Sequence, residues 1–362
     1  MLKKMKKVCC VAAAIAVSVC SFFACGKKLP EGEVMVYMPD GAPAMAFAKM
    51  MLEDTADDGI TYRVVDPSTI STKVTYQNMS ENADVCALPV IAASKLLGNG
   101  ENYQMLGVLT SGNLYVLSKN ESVIADFASS QLQDLSHLIG KTVGVMQINN
   151  VPGMTFKSIL NDYGVAWQEL TNDTPAAADK VNLKSIVDAT QIDPADTSVA
   201  CYVVAEPAAS VKISKNGFTS VCSLTELYHH GVVLPEDMAS TSYYGYPQAV
   251  LVAKKSLINE KGAWIEEFLT DVKNSAVALQ SADVINGTQI VQAVQSHLED
   301  ENYKTTLNAS VLSWETIGRC GVGFVGNALC QGGVIAYLQR ILAVNPNATK
   351  LPADEFFYFY KH

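Results

Sequence analysis

Short apolar runs recur along this chain, most of them closed by Gly, Pro or Asn and followed by stretches with apolar residues three or four apart. A bounded apolar run suits a buried strand, and the wider spacing suits a helix packed on one face. The pattern predicts strands over residues 34–38, 60–66, 85–88, 103–109, 113–118, 142–146, 167–170, 199–204, 219–223 and 248–254. It predicts helices over 44–53, 90–97, 156–163 and 208–215, with 176–189 as a further helical candidate. The end of the chain reads as helical over 260–281, 289–299 and 332–344. Strands alternating with helices argue for parallel sheets, with ligands outside the carboxyl ends of the strands.

Two phrases occur twice. VCALPVIAASK begins at Val85, and CYVVAEPAASVK begins at Cys201. In each, an apolar run ends at a proline and an Ala-rich stretch follows. Proline is tolerated in the first turn of a helix, where its missing N–H costs nothing, so each copy reads as strand, proline, helix. A second module precedes each copy: VMVYMPDGAPAMAFAKMM from Val34 and TVGVMQINNVPGMTFKSIL from Thr142. Both read as strand, Gly/Pro loop, helix. The repeat predicts an α/β fold of two doubly wound lobes whose helix starts face a shared ligand cleft. Lobe one takes residues 34–118 and 248–362, and lobe two takes 119–247. Two hinge crossings, near 119–131 and 233–247, join them.

Five loops then line the cleft. Asp40, Gly41, Ala42 and Pro43 begin the first helix, and Pro89 and Val90 the second. Ser111, Gly112 and Asn113 sit at a strand crossing. In lobe two, Asn149, Asn150 and Val151 lead into one helix, and Glu206 and Pro207 into another. Tyr246 opens the return to lobe one. Exposed backbone N–H groups at helix starts suit anionic or polar groups. For Gly41, Ala42 and Pro43 the alternative is plain turn chemistry. For Glu206 it is a carboxylate answering the helix dipole. Tyr37, Tyr115, Tyr243, Tyr244 and Tyr246 offer stacking surface, with ordinary packing as the alternative. The chain has three arginines, Arg63, Arg319 and Arg340, and none falls in a predicted cleft loop. No lysine falls there either. Bidentate arginine is the usual device for sulfonate and phosphate. Asp40 and Glu206 are the ionisable groups placed in the cleft, so a neutral or cationic ligand is expected, with a flat heterocycle among the candidates.

The first residues change the picture of where this happens. Lys3, Lys4, Lys6 and Lys7 precede an apolar run over 8–20, too short to favour a spanning helix. Phe22-Phe23-Ala24-Cys25-Gly26 then resembles a bacterial lipoprotein cleavage site, with Cys25 as the lipidated residue and 25–33 as a short tether. Phe22 and Phe23 depart from the usual residues there. Removing residues 1–24 takes away those four lysines and no acidic residue, so the net charge falls from −10 to −14. That charge argues against nucleic acid as a partner. Of nine cysteines, Cys9, Cys10 and Cys20 leave with the signal. Cys86, Cys201, Cys222, Cys320 and Cys330 remain. Cys201 with Cys222 and Cys320 with Cys330 are the conceivable pairs, and small buried hydrophobes are the favoured reading. No cysteine or histidine spacing resembles a metal site, and no cofactor loop is present.

At these motifs the chain resembles the solute-binding lipoproteins of ABC importers. The branch it looks most like serves nitrate, sulfonate, taurine and thiamine-precursor uptake. The carrying pieces are PDGAPAMAFAKM, ADVCALPVIAASKLL, GNLYVLSK, KTVGVMQINNVPGMTFKSIL, VVAEPAAS and YPQAVLVAKKSLI, with KLPADEFFYF near the end. They are fairly specific together for the family and not for the ligand. The resemblance implies a type II periplasmic-binding fold and a monomer anchored on the extracytoplasmic side of a bacterial membrane. It implies delivery of a small molecule to a permease driven by a separate ATPase subunit. Two other functions are open: a ligand-sensing lipoprotein serving a membrane receptor, and a biosynthetic enzyme on the same fold. The five histidines, His137, His229, His230, His297 and His362, fall outside the cleft loops, which speaks against the enzyme.

Overall fold

Two six-stranded mixed sheets organise the molecule, a computed structural model that describes residues 33–54, 59–130, 132, 134–229 and 245–360. The signal segment with Cys25, residues 233–244 of the expected return crossing, Tyr243, Tyr244, His230 and His362 lie outside the described residues. In the first sheet, β1 (Val34–Pro39) runs parallel to β2 (Ile60–Val65) and β3 (Val85–Pro89). The strand β11 (Pro247–Lys254) lies antiparallel between β3 and β4 (Tyr103–Ser111), and β12 (Val322–Gly326) closes the edge.

The second sheet repeats this plan. There β6 (Thr142–Met146) runs parallel to β8 (Val181–Ile186) and β9 (Cys201–Ala205). The antiparallel strand beside β9 is β5 (Leu114–Ser118), followed by β10 (Thr219–Ser223). A short β7 (Trp167–Glu169) extends the far edge. The order β2-β1-β3-β11-β4 thus matches β8-β6-β9-β5-β10. Each lobe receives its one inserted antiparallel strand from the other: β11 enters sheet one and β5 enters sheet two. The doubled sequence phrases are the strands and helix starts of this doubled plan. Their interiors are apolar on both faces because helices cover both, as buried parallel strands require.

Several expectations need correction. Residues 114–118 belong to the second sheet, so the first crossing is Ser111–Asn113 and not 119–131. The second crossing ends at Gly245–Pro247. A Ser-Gly-Asn link reads the same whether the strands it joins pair or part, and here they part. Residues 121–130, expected as a polar crossing, form helix α4 (Glu121–Ser130), whose Val123 and Phe127 are buried. The helix expected over 176–189 is instead β8, where Val181 and Leu183 point inward two residues apart. The two conceivable disulfides do not form, and the five cysteines are buried free thiols, as the favoured reading had it. Cys201 on β9 and Cys222 on β10 are separated by β5, about two strand spacings and too far for a bridge. Cys320 and Cys330 pack into separate apolar clusters.

The tail does more than complete lobe one. Helix α12, Asn327–Val344, follows β12 and packs on helix α5 (Val151–Asp162) of lobe two. Tyr337, Leu338 and Ile341 of this helix share one buried cluster with Met105 and Val252 of the first sheet and Val116, Val145 and Val203 of the second. Across it, Thr155 Oγ1 and the Tyr337 hydroxyl lie 2.8 Å apart in a buried hydrogen bond. Arg340 pairs with Asp162 and covers the Tyr228 ring at 3.9 Å. The lobes are therefore joined behind the crossings by an apolar seam.

Candidate functional site

The loops after β1, β3, β6 and β9 all lie at carboxyl ends of parallel strands, where an α/β sheet places its ligands. The two crossings form the base of the space between them. Gly112 and Gly245 hold positive φ angles, +58° and +123°. A Cβ on Gly245 would lie 3.1 Å from the Gly112 Cα and 3.1 Å from Thr225 Oγ1, so the two crossing chains touch here without side chains. The Gly112 N–H donates to the Tyr246 carbonyl at 3.1 Å, and the Asn113 N–H to the Gln248 side chain at 3.0 Å. The Ser111 N–H donates to the Gly321 carbonyl at 2.9 Å, which brings the end of helix α11 (Trp314–Arg319) to the same base.

Lobe two meets lobe one above this base. Glu206 ends β9 and starts helix α6 (Ala208–Asn216). Its side chain is fully buried and accepts from the Ser210 N–H at 2.9 Å and the Ser210 hydroxyl at 3.1 Å. It pairs with Arg319 across the seam. The Arg319 guanidinium lies 4.5 Å from the centre of the Tyr115 ring, and the Tyr115 hydroxyl donates to the Arg319 carbonyl at 3.4 Å. Ser210 Oγ and Thr316 Oγ1 stand 3.2 Å apart. Burial pushes the Glu206 carboxyl upward, opposed by the Ser210 bonds and by Arg319. Burial also pushes up the Tyr115 and Tyr303 hydroxyls; Tyr303 is raised further by Asp40, Asp66 and, from lobe two, Asp188. The space thus has one arginine with a carboxylate on it and an acidic side around Tyr303.

Of the residues expected here, Ser111, Gly112, Asn113 and Glu206 do come together at the base. Asp40 stands at the end of β1 as expected, but its carboxylate is engaged inside lobe one. It accepts from Thr305 Oγ1 at 2.5 Å, the Thr306 N–H and hydroxyl at 2.7 Å each, and the Tyr303 hydroxyl at 3.3 Å. Gly41 and Pro43 are half-buried around helix α1 (Ala42–Met45), and Ala42 is buried. Pro89 pairs with Ala249, and Val90 is buried in the apolar core. Asn149 is exposed. Asn150 Oδ1 accepts from the Val151 N–H at 2.9 Å, so this helix start is capped by its own side chain, as α6 is by Glu206. Tyr246 offers no stacking surface: it is fully buried against Tyr337 and Tyr228, and the Leu114 N–H donates to its hydroxyl at 3.3 Å.

Sequence reasoning missed Arg319, Ser210, Thr316 and the segment of Tyr303, Thr305 and Thr306. The expectation that no arginine reaches the cleft is corrected by Arg319. Its helix escaped notice because it is a single short turn; Ser313, whose hydroxyl accepts from the Thr316 N–H at 3.2 Å, was the available signal. Apart from Arg319 Nη2, which is held in the Glu206 ion pair, two polar atoms at the base have no hydrogen-bond partner among the described residues: Asn113 Oδ1, in a residue only 5% exposed, and Arg319 Nε.

No protein-family model and no curated protein matches this chain. Its fold is shared with solved structures. An ABC transporter protein from Parabacteroides distasonis is 16% identical, covers 91% of this chain and 100% of its own, and superposes with a TM-score of 0.64. The periplasmic aliphatic sulphonate binding protein SsuA from Escherichia coli is 13% identical over 92% of this chain and 96% of its own, with a TM-score of 0.53. The alkanesulfonate-binding protein SsuA from Xanthomonas axonopodis pv. citri, bound to MOPS, is 10% identical over 90% and 95%, with a TM-score of 0.51. At such identities the likeness is one of fold: a two-lobe α/β protein of the type II periplasmic-binding kind.

Proposed function

We propose that this protein is a solute-binding component of an ABC importer, which captures one small molecule between its lobes and presents it to a membrane permease. The observation that carries the reading is the pair of unpartnered atoms at the cleft base. Buried polar atoms are rarely left without a partner. Asn113 Oδ1 accepts, Arg319 Nε donates, and both stand where two lobes meet over the crossings. A polar solute carrying a donor beside an acceptor would satisfy both. Glu206 offsets the Arg319 charge, and Asp66 and Asp188 stand near Tyr303, which favours a neutral or cationic solute over a sulfonate or nitrate. Asn150 would face the solute from lobe two. Closure is a hinge motion about Ser111–Asn113 and Gly245–Pro247. Cys25 would carry the lipid that holds the protein at the outer side of its membrane, beside the permease and its ATPase.

The test is a thermal-shift panel on the soluble chain beginning at Gly26, which retains the compact unit Val34–His362. A solute at a hundredfold excess over its Kd stabilises by about 2.7 kcal/mol. A shift with uncharged amides, heterocycles or amines supports the reading. A shift with sulfonates or nitrate alone keeps capture and overturns the solute class. No shift with any of them removes the support for capture.

A further inference from the structure

The lobes touch on both sides of the crossings, and the two contacts differ in kind. Behind the crossings the contact is apolar, with Tyr337, Leu338 and Ile341 in a core shared by both sheets. Separating it would expose that core to water. In front, the contact is polar: the Glu206–Arg319 ion pair, Tyr115 beneath Arg319 at 4.5 Å, and Ser210 against Thr316 at 3.2 Å. These groups exchange one another for water as the lobes part. A rotation about the Gly112–Gly245 contact therefore opens the front and leaves the rear seam as its pivot.

We infer that Glu206, Arg319 and Tyr115 form a latch that holds the two lobes together before any solute arrives. It extends the capture reading by assigning what closes the empty protein. Glu206 comes from lobe two and Arg319 from lobe one, so neither charge keeps its partner once the front opens. Their exposures are unequal: the Glu206 side chain is fully buried and the Arg319 side chain is 34% exposed. Removing the arginine strands a carboxylate in the closed form, where an unpaired buried charge is strongly unfavourable. Removing the carboxylate strands a guanidinium whose Nε and Nη2 are themselves buried, although the side chain as a whole is 34% exposed. Either removal therefore leaves a buried group without its partner, and both Arg319→Met and Glu206→Gln open the protein.

Small-angle X-ray scattering of the solute-free chain from Gly26 tests this directly. The parent is expected to scatter as the closed form. Arg319→Met and Glu206→Gln are each expected to raise the open population by about tenfold or more, seen as a larger radius of gyration. Arg319→Lys, which keeps the charge and loses the planar stacking, falls between parent and Arg319→Met. Circular dichroism confirms that each variant is folded; should Arg319→Met fail to fold, Glu206→Gln and the Ser210→Ala/Thr316→Val pair carry the same comparison. Curves that superimpose on the parent in every folded variant overturn the latch, as does a parent already open. The experiment uses no solute. A panel that finds no ligand therefore leaves the latch in place, and superimposable curves leave capture in place.

Discussion

Asp40→Ala separates two roles for the same carboxylate. Its position at the end of β1 suggests a ligand group, whereas its bonds describe a pin between β1 and the segment that precedes helix α11. Four donors converge on it: two threonine hydroxyls, one tyrosine hydroxyl and the Thr306 N–H, with Asp40 only 5% exposed. In Asp40→Ala the hydroxyls can turn towards water, but the Thr306 N–H cannot reorient. A buried unpaired donor costs about 1–3 kcal/mol, and losing charge-assisted bonds adds to that. A total of about 3 kcal/mol is expected, or roughly 4 °C in Tm for a unit of this size. Asp40→Asn keeps one acceptor and should lose about 1–2 kcal/mol. Urea unfolding followed by circular dichroism measures both, with the slope showing whether the transition is unchanged. An Asp40→Ala protein as stable as the parent, with weakened solute binding, would refute the pin and return Asp40 to the ligand site.

Three further predictions concern the same framework. Burial raises the Glu206 carboxyl above its unfolded value, so its neutral form favours the fold. That contribution is fully present below the ordinary carboxylate range and is lost as pH rises through the raised value. The Tm of the parent minus that of Glu206→Gln should therefore increase as pH falls from neutral towards that range, and a flat difference would contradict it. Gly245→Ala puts a Cβ 3.1 Å from Gly112 at a φ of +123°, and should cost about 1–3 kcal/mol in denaturant unfolding. The buried thiols should resist a disulfide reagent at pH 8 in the native protein, since burial pushes Cys201 and Cys330 up to about 12; all five should react after unfolding.

The doubled plan was legible in the sequence because it is written locally. An apolar run ending in proline needs no distant partner to be read as strand and helix start, and β3 and β9 with their helices fall where the repeat puts them. What was hidden depends on contacts far apart in the chain. Ser111-Gly112-Asn113 specifies a turn, but only the pairing of Leu114 with Ala205 decides that the chain leaves its sheet. The Ala-rich stretch before β8 suggested a helix, and the parallel pairing with β6 overrode it. Asp40 was placed correctly at its strand end, yet its partners lie more than 260 residues later, beyond any local pattern. Arg319 was hidden for the same reason: nothing around it in the sequence points to Glu206.

The claim of capture between lobes is tested most directly by a crystal structure with a solute that shifts the melting temperature. The solute should lie at the base of the cleft, touching Asn113 or Arg319 and at least one residue of each sheet's loops. A solute held within a single lobe, or on the outer face away from both crossings, would contradict it.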